Sequence, residues 1–167
     1  MQVIKLFGTQ NCHKSKFYKQ FLMNGGIPFD FYDVEVSQLD KELLSFYYPD
    51  GQTHFPTLII GRKILRNPPQ KAIMKHILTE STYQLDEGYS EVKYLANKYA
   101  VTKETFNEGR SVKVFAKNLK NDDFISFNMY HTKAGLQLKP CEMAEEKVID
   151  FLKQFEFIAS QKQEQMG

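Results

Sequence analysis

The sequence has no tryptophan and only two cysteines, Cys12 and Cys141, among its 167 residues. Two cysteines are too few for a disulfide framework, and they fit a reducing compartment. No apolar run approaches the roughly 20 residues that a membrane-spanning helix needs. The first residues also lack the charged start and long apolar stretch of a secretory signal. We therefore expect a cytoplasmic protein with no membrane partner.

A large excess of charge of either sign is also missing. Residues 1–80 contain ten Lys and Arg against seven Asp and Glu, a net charge of +3. Residues 81–167 contain twelve against thirteen, a net charge of −1. Neither half has the basic excess that is typical of nucleic-acid-binding domains or polybasic membrane anchors. We expect no nucleic-acid partner, and the sequence does not indicate an oligomeric state.

The first half of the chain predicts alternating strands and helices. Its helices are indicated by apolar side chains at helical spacing, by a capping-box pattern at Ser37 and Asp40, and by Asn67-Pro68 as a helix start. The order β-α-β-α-β-β-α predicts an α/β fold, a thioredoxin-like four-stranded mixed sheet with flanking helices, over residues 1–80. The predicted strands are short apolar runs at residues 3–7, 29–34, 57–60 and 63–65.

The second half, residues 81–167, predicts a smaller α+β domain that contains an antiparallel hairpin. Two strands rich in aromatic and β-branched residues are joined by a stretch with turn chemistry. The predicted elements are a polar linker at 79–88, a helix at 90–99, strands at 112–116, 124–130 and 136–138, a C-terminal helix after Cys141, and a frayed end at 161–167.

Cys12 is the main candidate for a reactive group. It lies between the first predicted strand and the first predicted helix, in the run Cys12-His13-Lys14-Ser15. A helix N-terminus lowers the pKa of a thiol from about 8.5, and Lys14 adds positive charge in the same turn. The alternative is a buried structural cysteine, which is the usual fate of a free cysteine. Position alone leaves both interpretations open.

Residues 2–79 resemble the glutaredoxins, a branch of the thioredoxin superfamily, in the order of their elements and in two local motifs. The first motif is Cys12-x-x-Ser15 between a strand and a helix. The second is Phe55-Pro56-Thr57, which looks like the family's cis-proline loop before its third strand.

The resemblance implies that Cys12 is the catalytic nucleophile and that Pro56 packs opposite it. In the family this loop leaves a backbone edge open, with which glutathione or an extended protein substrate can pair. The residues around that edge, His54, Phe55 and Thr57, are therefore candidate substrate-binding residues. The implied partner is either glutathione or a protein that offers a thiol or a disulfide. Glutathione is the candidate co-substrate. We expect no bound cofactor and no metal.

The sequence departs from the family pattern at several positions. Ser15 replaces the second cysteine, which leaves a single-cysteine site that cannot form an internal disulfide. Thr9 stands where the family usually has a lysine that contacts a glutathione carboxylate, and His54 stands where threonine is usual. Residues 62–68 replace the double-glycine motif that holds the other end of glutathione. The predicted fold is compatible with these departures, whereas they weaken the expectation of glutathione binding.

Several charged residues near the two motifs have two interpretations each. His54 either pairs with the Cys12 thiolate or is a surface histidine in a polar turn. Arg62 and Arg66 either receive an anion such as a carboxylate or are solvated charges near a hairpin. With Lys14, these arginines are the candidates for binding the charged ends of glutathione.

Cys141 also precedes a predicted helix, but carboxylates surround it in the sequence and oppose thiolate formation. We interpret it as a structural cysteine, with a resolving partner for Cys12 as the alternative. The acidic neighbours are Glu142, Glu145 and Glu146.

Two functions of different classes fit these features. The first is a glutaredoxin-like thiol–disulfide oxidoreductase that uses a single cysteine, and it is favoured by Cys12 and its basic neighbours. The alternative is a catalytically weak binding module that recognises a protein partner, and it is favoured by the missing lysine and double glycine. A third and weaker hypothesis, an enzyme similar to arsenate reductases, expects an insertion between the two halves of the fold that this sequence lacks.

Overall fold

A computed structural model describes residues 3–48 and 50–158. These residues divide into two compact units, one that ends at Glu80 and one that begins at Ser81. The predicted frayed end at 161–167 lies outside the described residues. In the part of the chain that is described, no helix is long and apolar enough to cross a membrane.

The first unit is a four-stranded mixed sheet with flanking helices, which confirms the predicted fold class. Its strand order is β2-β1-β3-β4; β1 and β2 are parallel, whereas β3 and β4 run antiparallel to their neighbours. The elements are β1 (Ile4–Gly8), α1 (His13–Asn24), β2 (Phe29–Asp33), α2 (Gln38–Ser45), β3 (Thr57–Ile60), β4 (Lys63–Arg66) and α3 (Gln70–Gln84).

The core of this unit fixes the C-terminal end of β1 beside the start of β3. Every residue of β3 is buried, and Phe7 near the end of β1 is completely buried. Phe7 pairs with Thr57 in the sheet register and stacks on Tyr32 with ring centroids 4.7 Å apart. Because the loop after β1 carries Cys12 and the loop before β3 carries Pro56, this register brings the two predicted motifs to one edge of the sheet.

The helix starts of the first unit are partly as predicted. Ser37 caps α2 by accepting a hydrogen bond from the Asp40 backbone N–H at 3.1 Å, which confirms one half of the predicted capping box. The other half is absent, because the Asp40 carboxylate accepts from the Asp33 backbone N–H and the Ser37 N–H donates to the Asp33 carbonyl. Asn67 does not cap α3, because its φ of 45° is left-handed and the helix begins only at Gln70. Two consecutive prolines, at positions 68 and 69, separate Asn67 from that helix.

The second unit is a six-stranded antiparallel sheet with one helix. Its strand order is β10-β5-β6-β7-β8-β9, so five consecutive strands form a meander and the last strand joins its first edge. The elements are β5 (Gly88–Tyr94), β6 (Asn97–Phe106), β7 (Ser111–Asn118), β8 (Phe124–Thr132), β9 (Gly135–Pro140), α4 (Glu145–Gln154) and β10 (Glu156–Phe157).

The prediction of a helix at 90–99 is wrong, whereas the hairpin of β7 and β8 is confirmed. The segment 90–99 forms the end of β5, a tight turn and the start of β6. Leu95 and Ala96 in the turn both have positive φ, 46° and 64°, which is the geometry of a two-residue hairpin turn. The linker predicted at 79–88 is also wrong in its first part, because α3 continues to Gln84.

The two faces of the six-stranded sheet differ in burial. The inner face is covered by α4, whose Val148, Phe151 and Leu152 are buried. Phe151 contacts two inner-face rings, those of Tyr94 and Tyr99. The opposite side chains of β5 to β9 are exposed or half-buried, and we call this side the outer face.

Candidate functional site

Cys12 occupies the N-cap position of α1. Its backbone is extended, with φ −77° and ψ 121°, and the helix begins at the next residue. The sulfur therefore lies where a Ser or Asp capping oxygen would accept hydrogen bonds from the second and third helical residues. Those residues are Lys14 and Ser15. The side chain is half-buried, so the thiol is reachable from solvent.

This position lowers the pKa of the Cys12 thiol. The largest cause is a hydrogen bond from the backbone N–H of Ser15, and the Ser15 hydroxyl and the backbone N–H of Lys14 add to it. The charge of Lys14 contributes as well, while partial burial acts in the opposite direction. The Cys12 side chain does not act as a hydrogen-bonded cap of α1 in the structure. The pKa is lowered because the same groups would stabilise the thiolate, which is the stronger hydrogen-bond acceptor and the nucleophilic form.

Ser15 and Thr9 form a small buried hydrogen-bond network around Cys12. Ser15 is completely buried, and its Oγ accepts a hydrogen bond from the Thr9 backbone N–H at 3.2 Å. Thr9 Oγ1 in turn accepts from the Cys12 backbone N–H at 3.2 Å. Gly8 leaves the space for this arrangement, because a Cβ there would overlap the Ser15 hydroxyl. The loop that carries the thiol is therefore held by two side-chain hydroxyls.

The loop before β3 presents an open backbone edge. The peptide bond between Phe55 and Pro56 is cis. Pro56 is buried, and its carbonyl accepts a hydrogen bond from the Asn67 backbone N–H at 3.1 Å. Within residues 3–48 and 50–158, the backbone N–H and C=O of Phe55 have no hydrogen-bond partner. Its side chain is half exposed as well, so this residue is free to pair with another chain.

Hydrogen bonds connect this loop to the helix that carries Cys12. The Tyr18 hydroxyl, on α1, donates to the Pro68 carbonyl at 2.8 Å and lies 3.2 Å from Asn67 Oδ1. Asn67 also holds the Pro56 carbonyl. The tyrosine is 4 % exposed, and burial raises the pKa of its hydroxyl, which therefore stays a donor. The helix and the loop are thus joined through buried, directional contacts.

His54 and Arg66 both pack against Tyr48, a completely buried residue of the loop after α2. The rings of His54 and Tyr48 lie 5.8 Å apart, and the Arg66 guanidinium lies 4.4 Å from the Tyr48 ring centroid. The Tyr48 hydroxyl bonds with Thr57 Oγ1, and the Thr57 hydroxyl donates to the His54 carbonyl. The ion pair between His54 and Cys12 stays a prediction, since the ring contact of the imidazole is with Tyr48 in this cluster.

The structure brings some of the predicted charged residues to the site and leaves one away from it. Arg66 pairs with Thr57 across the β3–β4 hairpin, next to the open edge, and Lys14 lies in the first turn of α1. Arg62 lies in the turn at the other end of the hairpin. Three residues of strand separate Thr57 from that turn, which corresponds to about 10 Å.

Cys141 lies in a different environment. Its Sγ accepts a hydrogen bond from Asn128 Nδ2 at 3.4 Å, and its thiol lies 3.9 Å from the Lys139 carbonyl. The N-cap of the following helix is Ala144, three residues later, so the sulfur lies outside the helix start. Both cysteines are free thiols. Among the residues that the structure describes, no group of three or more His, Cys, Asp and Glu could hold a metal.

The topology and the position of Cys12 define a thioredoxin-fold domain with a cysteine at the N-cap of its first helix. Residues 4–65 match the protein-family model described as Glutaredoxin. The first unit is therefore a glutaredoxin-type domain of the thioredoxin superfamily, and the match supports a thiol–disulfide oxidoreductase-like role. No family model matches the second unit. No curated protein matches the chain, and no solved structure matches it.

Sequence reasoning missed the supporting residues of the site. Tyr18, Tyr48 and Asn67 act through contacts with residues far away in the chain, for which the sequence carries no local signal. Thr9 was identified only as a departure from the family pattern. Its neighbour Gly8 was a usable signal, since a glycine at a strand end before a helical cysteine indicates close packing.

Proposed function

We propose that the first unit catalyses thiol–disulfide exchange with the single nucleophile Cys12, acting on glutathione or protein mixed disulfides. The observation that supports this most is the N-cap position of Cys12, where two backbone amides and the Ser15 hydroxyl favour the thiolate. A thiolate at neutral pH is the requirement for attack on a disulfide.

The proposed reaction has two exchange steps. The Cys12 thiolate attacks the glutathione sulfur of a mixed disulfide R–S–S–G, which forms Cys12–S–S–G and releases R–S⁻, protonated to R–SH. A second glutathione thiolate then attacks the glutathione sulfur on Cys12, which forms G–S–S–G and regenerates the Cys12 thiolate. Overall, R–S–S–G and one glutathione thiol give R–SH and G–S–S–G, so the R sulfur is reduced and one free glutathione is oxidised. Ser15 cannot attack a disulfide, so no internal disulfide forms in the motif.

The substrate chain is proposed to pair with Phe55. The free N–H and C=O of this residue offer two backbone hydrogen bonds, as in strand addition. Arg66 and Lys14 are the proposed partners for the carboxylates of glutathione, because the structure places both beside the edge or the thiol. Arg62 contributes less under this proposal, since it lies at the far end of its hairpin.

A catalytically weak binding module is the second candidate. It is supported by Thr9, which is buried and occupied with the Cys12 N–H and so offers no cation to a glutathione carboxylate. Charge-assisted contacts contribute about 1.5–3 kcal/mol each, so the loss of two would weaken binding by a hundredfold or more. The same open edge at Phe55 would then hold an extended segment of a protein partner.

Reduction of a small glutathione mixed disulfide, coupled to glutathione consumption, tests the proposal. We expect slow but measurable turnover by the wild-type protein, and no turnover by Cys12→Ser. Arg66→Gln should raise KM, while Arg62→Gln, its matched control in the same hairpin, should leave KM nearly unchanged. A folded wild-type protein with no turnover would contradict the enzymatic proposal and favour the binding module.

A further inference from the structure

The outer face of the six-stranded sheet exposes an unusual number of aromatic side chains. Alternation along the strands and the cross-strand register place five of them on this one face. Phe115 lies on β7 near the middle of the face and is 41 % exposed, and its ring stacks on Phe124 with centroids 5.9 Å apart. The five are Tyr89, Phe106, Phe115, Phe124 and Tyr130.

Small polar side chains keep the Phe115 ring accessible. Its cross-strand partners are Thr102 on β6 and Ser126 on β8. A groove of about 420 Å³ is lined by these residues together with Glu104 and Lys113. That volume lies in the range of pockets that hold small organic groups, about 300–1,000 Å³. An aromatic base is a group of this kind.

Lysines flank Phe115 along its own strand, and the one carboxylate of the groove, Glu104, lies opposite Lys113 on β6. Lys113 and Lys117 lie two residues before and after Phe115 on the same strand, so they share its face at about 7 Å on either side. Over strands β6 to β9, the outer face carries four lysines and a single carboxylate, Glu104. The remaining lysines are Lys98 and Lys139.

Folding has therefore sorted charges that are nearly balanced in the sequence. The second half of the chain has a net charge of −1, and on that basis we expected no nucleic-acid partner. Its other carboxylates on the outer face, Glu91 and Glu156, lie on β5 and β10, at one side of the sheet. Strands β6 to β9 consequently present a basic surface with exposed rings.

We propose that the outer face binds single-stranded nucleic acid, with a base stacked on Phe115 and the flanking phosphates held by Lys113 and Lys117. Exposed aromatic rings on a sheet stack unpaired bases, and lysines beside them neutralise the backbone. A protein partner or a second copy fits this face less well, because lysine is depleted from the centre of protein–protein interfaces. A duplex fits less well too, since a broad sheet face does not enter the major groove.

Fluorescence anisotropy of a labelled oligothymidine and a labelled oligouridine, with the full-length chain in low salt, tests this proposal. We expect saturable binding and a loss of about tenfold or more in affinity for Phe115→Ala. Phe115→Leu keeps apolar packing on Phe124 but removes the stacking surface, so it should lose affinity as well. Phe46→Ala, which removes an exposed ring from the end of α2, is the matched control and should bind like wild type.

The salt dependence tests the lysines separately. Replacing Lys113 and Lys117 by Gln should reduce the slope of log K against log salt concentration by about 1.4, which is two phosphate contacts. Lys133→Gln, in the turn between β8 and β9, should leave the slope unchanged.

Four outcomes would overturn the proposal. The first is binding weaker than about 10⁻⁴ M, the weak limit of non-specific binding. The second is an oligonucleotide affinity that is unchanged in both Phe115 variants. The third is a loss of heparin binding in these variants that equals their loss of oligonucleotide binding, since heparin is a polyanion without bases. The fourth is a wild-type dimer that dissociates in the Phe115 variants, as measured by analytical ultracentrifugation, because the face would then be an interface between copies.

Discussion

Cys12 and Cys141 both lie after a strand and before a helix, yet the structure gives them different chemistry. Cys12 is itself the N-cap of its helix, so amides of the first turn and a buried hydroxyl surround its sulfur. Cys141 precedes the N-cap of its helix by three residues and contacts an amide side chain and a carbonyl. The comparison teaches that the register of a cysteine relative to the helix start decides which groups surround its sulfur. A local sequence of strand, cysteine and helix is not sufficient.

The largest expected effect concerns removal of each thiol. Cys12→Ser should abolish thiol–disulfide exchange, because the serine hydroxyl is not ionised at neutral pH and cannot attack a disulfide. Cys141→Ser should retain wild-type exchange, since the proposed reaction uses one thiol. The two variants are matched, and the assay is turnover of a glutathione mixed disulfide. Loss of activity in both would show that Cys141 resolves an intermediate, and would end the contrast between the two sites.

The second prediction compares the reaction of the two thiols with iodoacetamide. At about pH 7, Cys12 should be alkylated faster than Cys141, because its lowered pKa increases the fraction of Cys12 present as thiolate. The alkylation rate of Cys12 should reach its plateau below the pH at which an ordinary thiol ionises. Brief labelling followed by peptide mass spectrometry measures both rates in one sample. Equal labelling at every pH would contradict the assignment.

A third prediction isolates the Ser15 hydroxyl. Ser15→Ala removes one of the groups that stabilise the thiolate, so the pKa of the Cys12 thiol should rise and its alkylation at about pH 7 should slow by a few-fold. The backbone N–H of the residue remains, so part of the lowering should persist. Ser45→Ala, at the exposed end of α2, serves as the control. If the alkylation rate of Ser15→Ala equals that of wild type at every pH, the Ser15 hydroxyl does not contribute to the lowered pKa of Cys12.

The smallest expected effect is on stability. Thr9→Val keeps the shape of the side chain but removes the hydroxyl acceptor of the Cys12 N–H and leaves only the longer bond to the Thr9 carbonyl. The free energy of unfolding should fall by about 0.5–1.5 kcal/mol. Thr79→Val is the control, because that hydroxyl donates only to the Lys75 carbonyl within α3 and lies exposed. Urea denaturation measures both. Equal changes in the free energy of unfolding of the two variants would show that the Thr9 hydrogen bond stabilises the fold no more than the exposed Thr79 hydrogen bond does.

The first unit was predictable because its signals are local and agree with each other. The strand lengths, the Ser37 cap and the two motifs all follow from short runs of sequence. The second unit was predicted less well, since its first hairpin turns at Leu95 and Ala96, which have positive φ without glycine. Such a turn has no compositional signal, and the apolar residues around it also fit helical spacing.

The candidate site divides in the same way. Cys12, Ser15 and Pro56 could be predicted because they belong to linear motifs. The hydrogen bonds of Tyr18 with Asn67 and Pro68 join residues about fifty positions apart, and only the folded chain brings them together. Strand register likewise decides which lysines and aromatic rings share one face of the six-stranded sheet. The net charge of the sequence carries no information about that arrangement.

The buried Thr9 has a consequence for how this domain could change. Replacing it with the lysine that is usual in glutaredoxins would supply a cation for a glutathione carboxylate. The same replacement would remove the hydroxyl acceptor of the Cys12 N–H, leaving the bond to the Thr9 carbonyl, and would place an ammonium group at a position that is 8 % exposed. The gain and the loss fall on one residue, so we expect the benefit of the lysine to depend on a second substitution in the same loop.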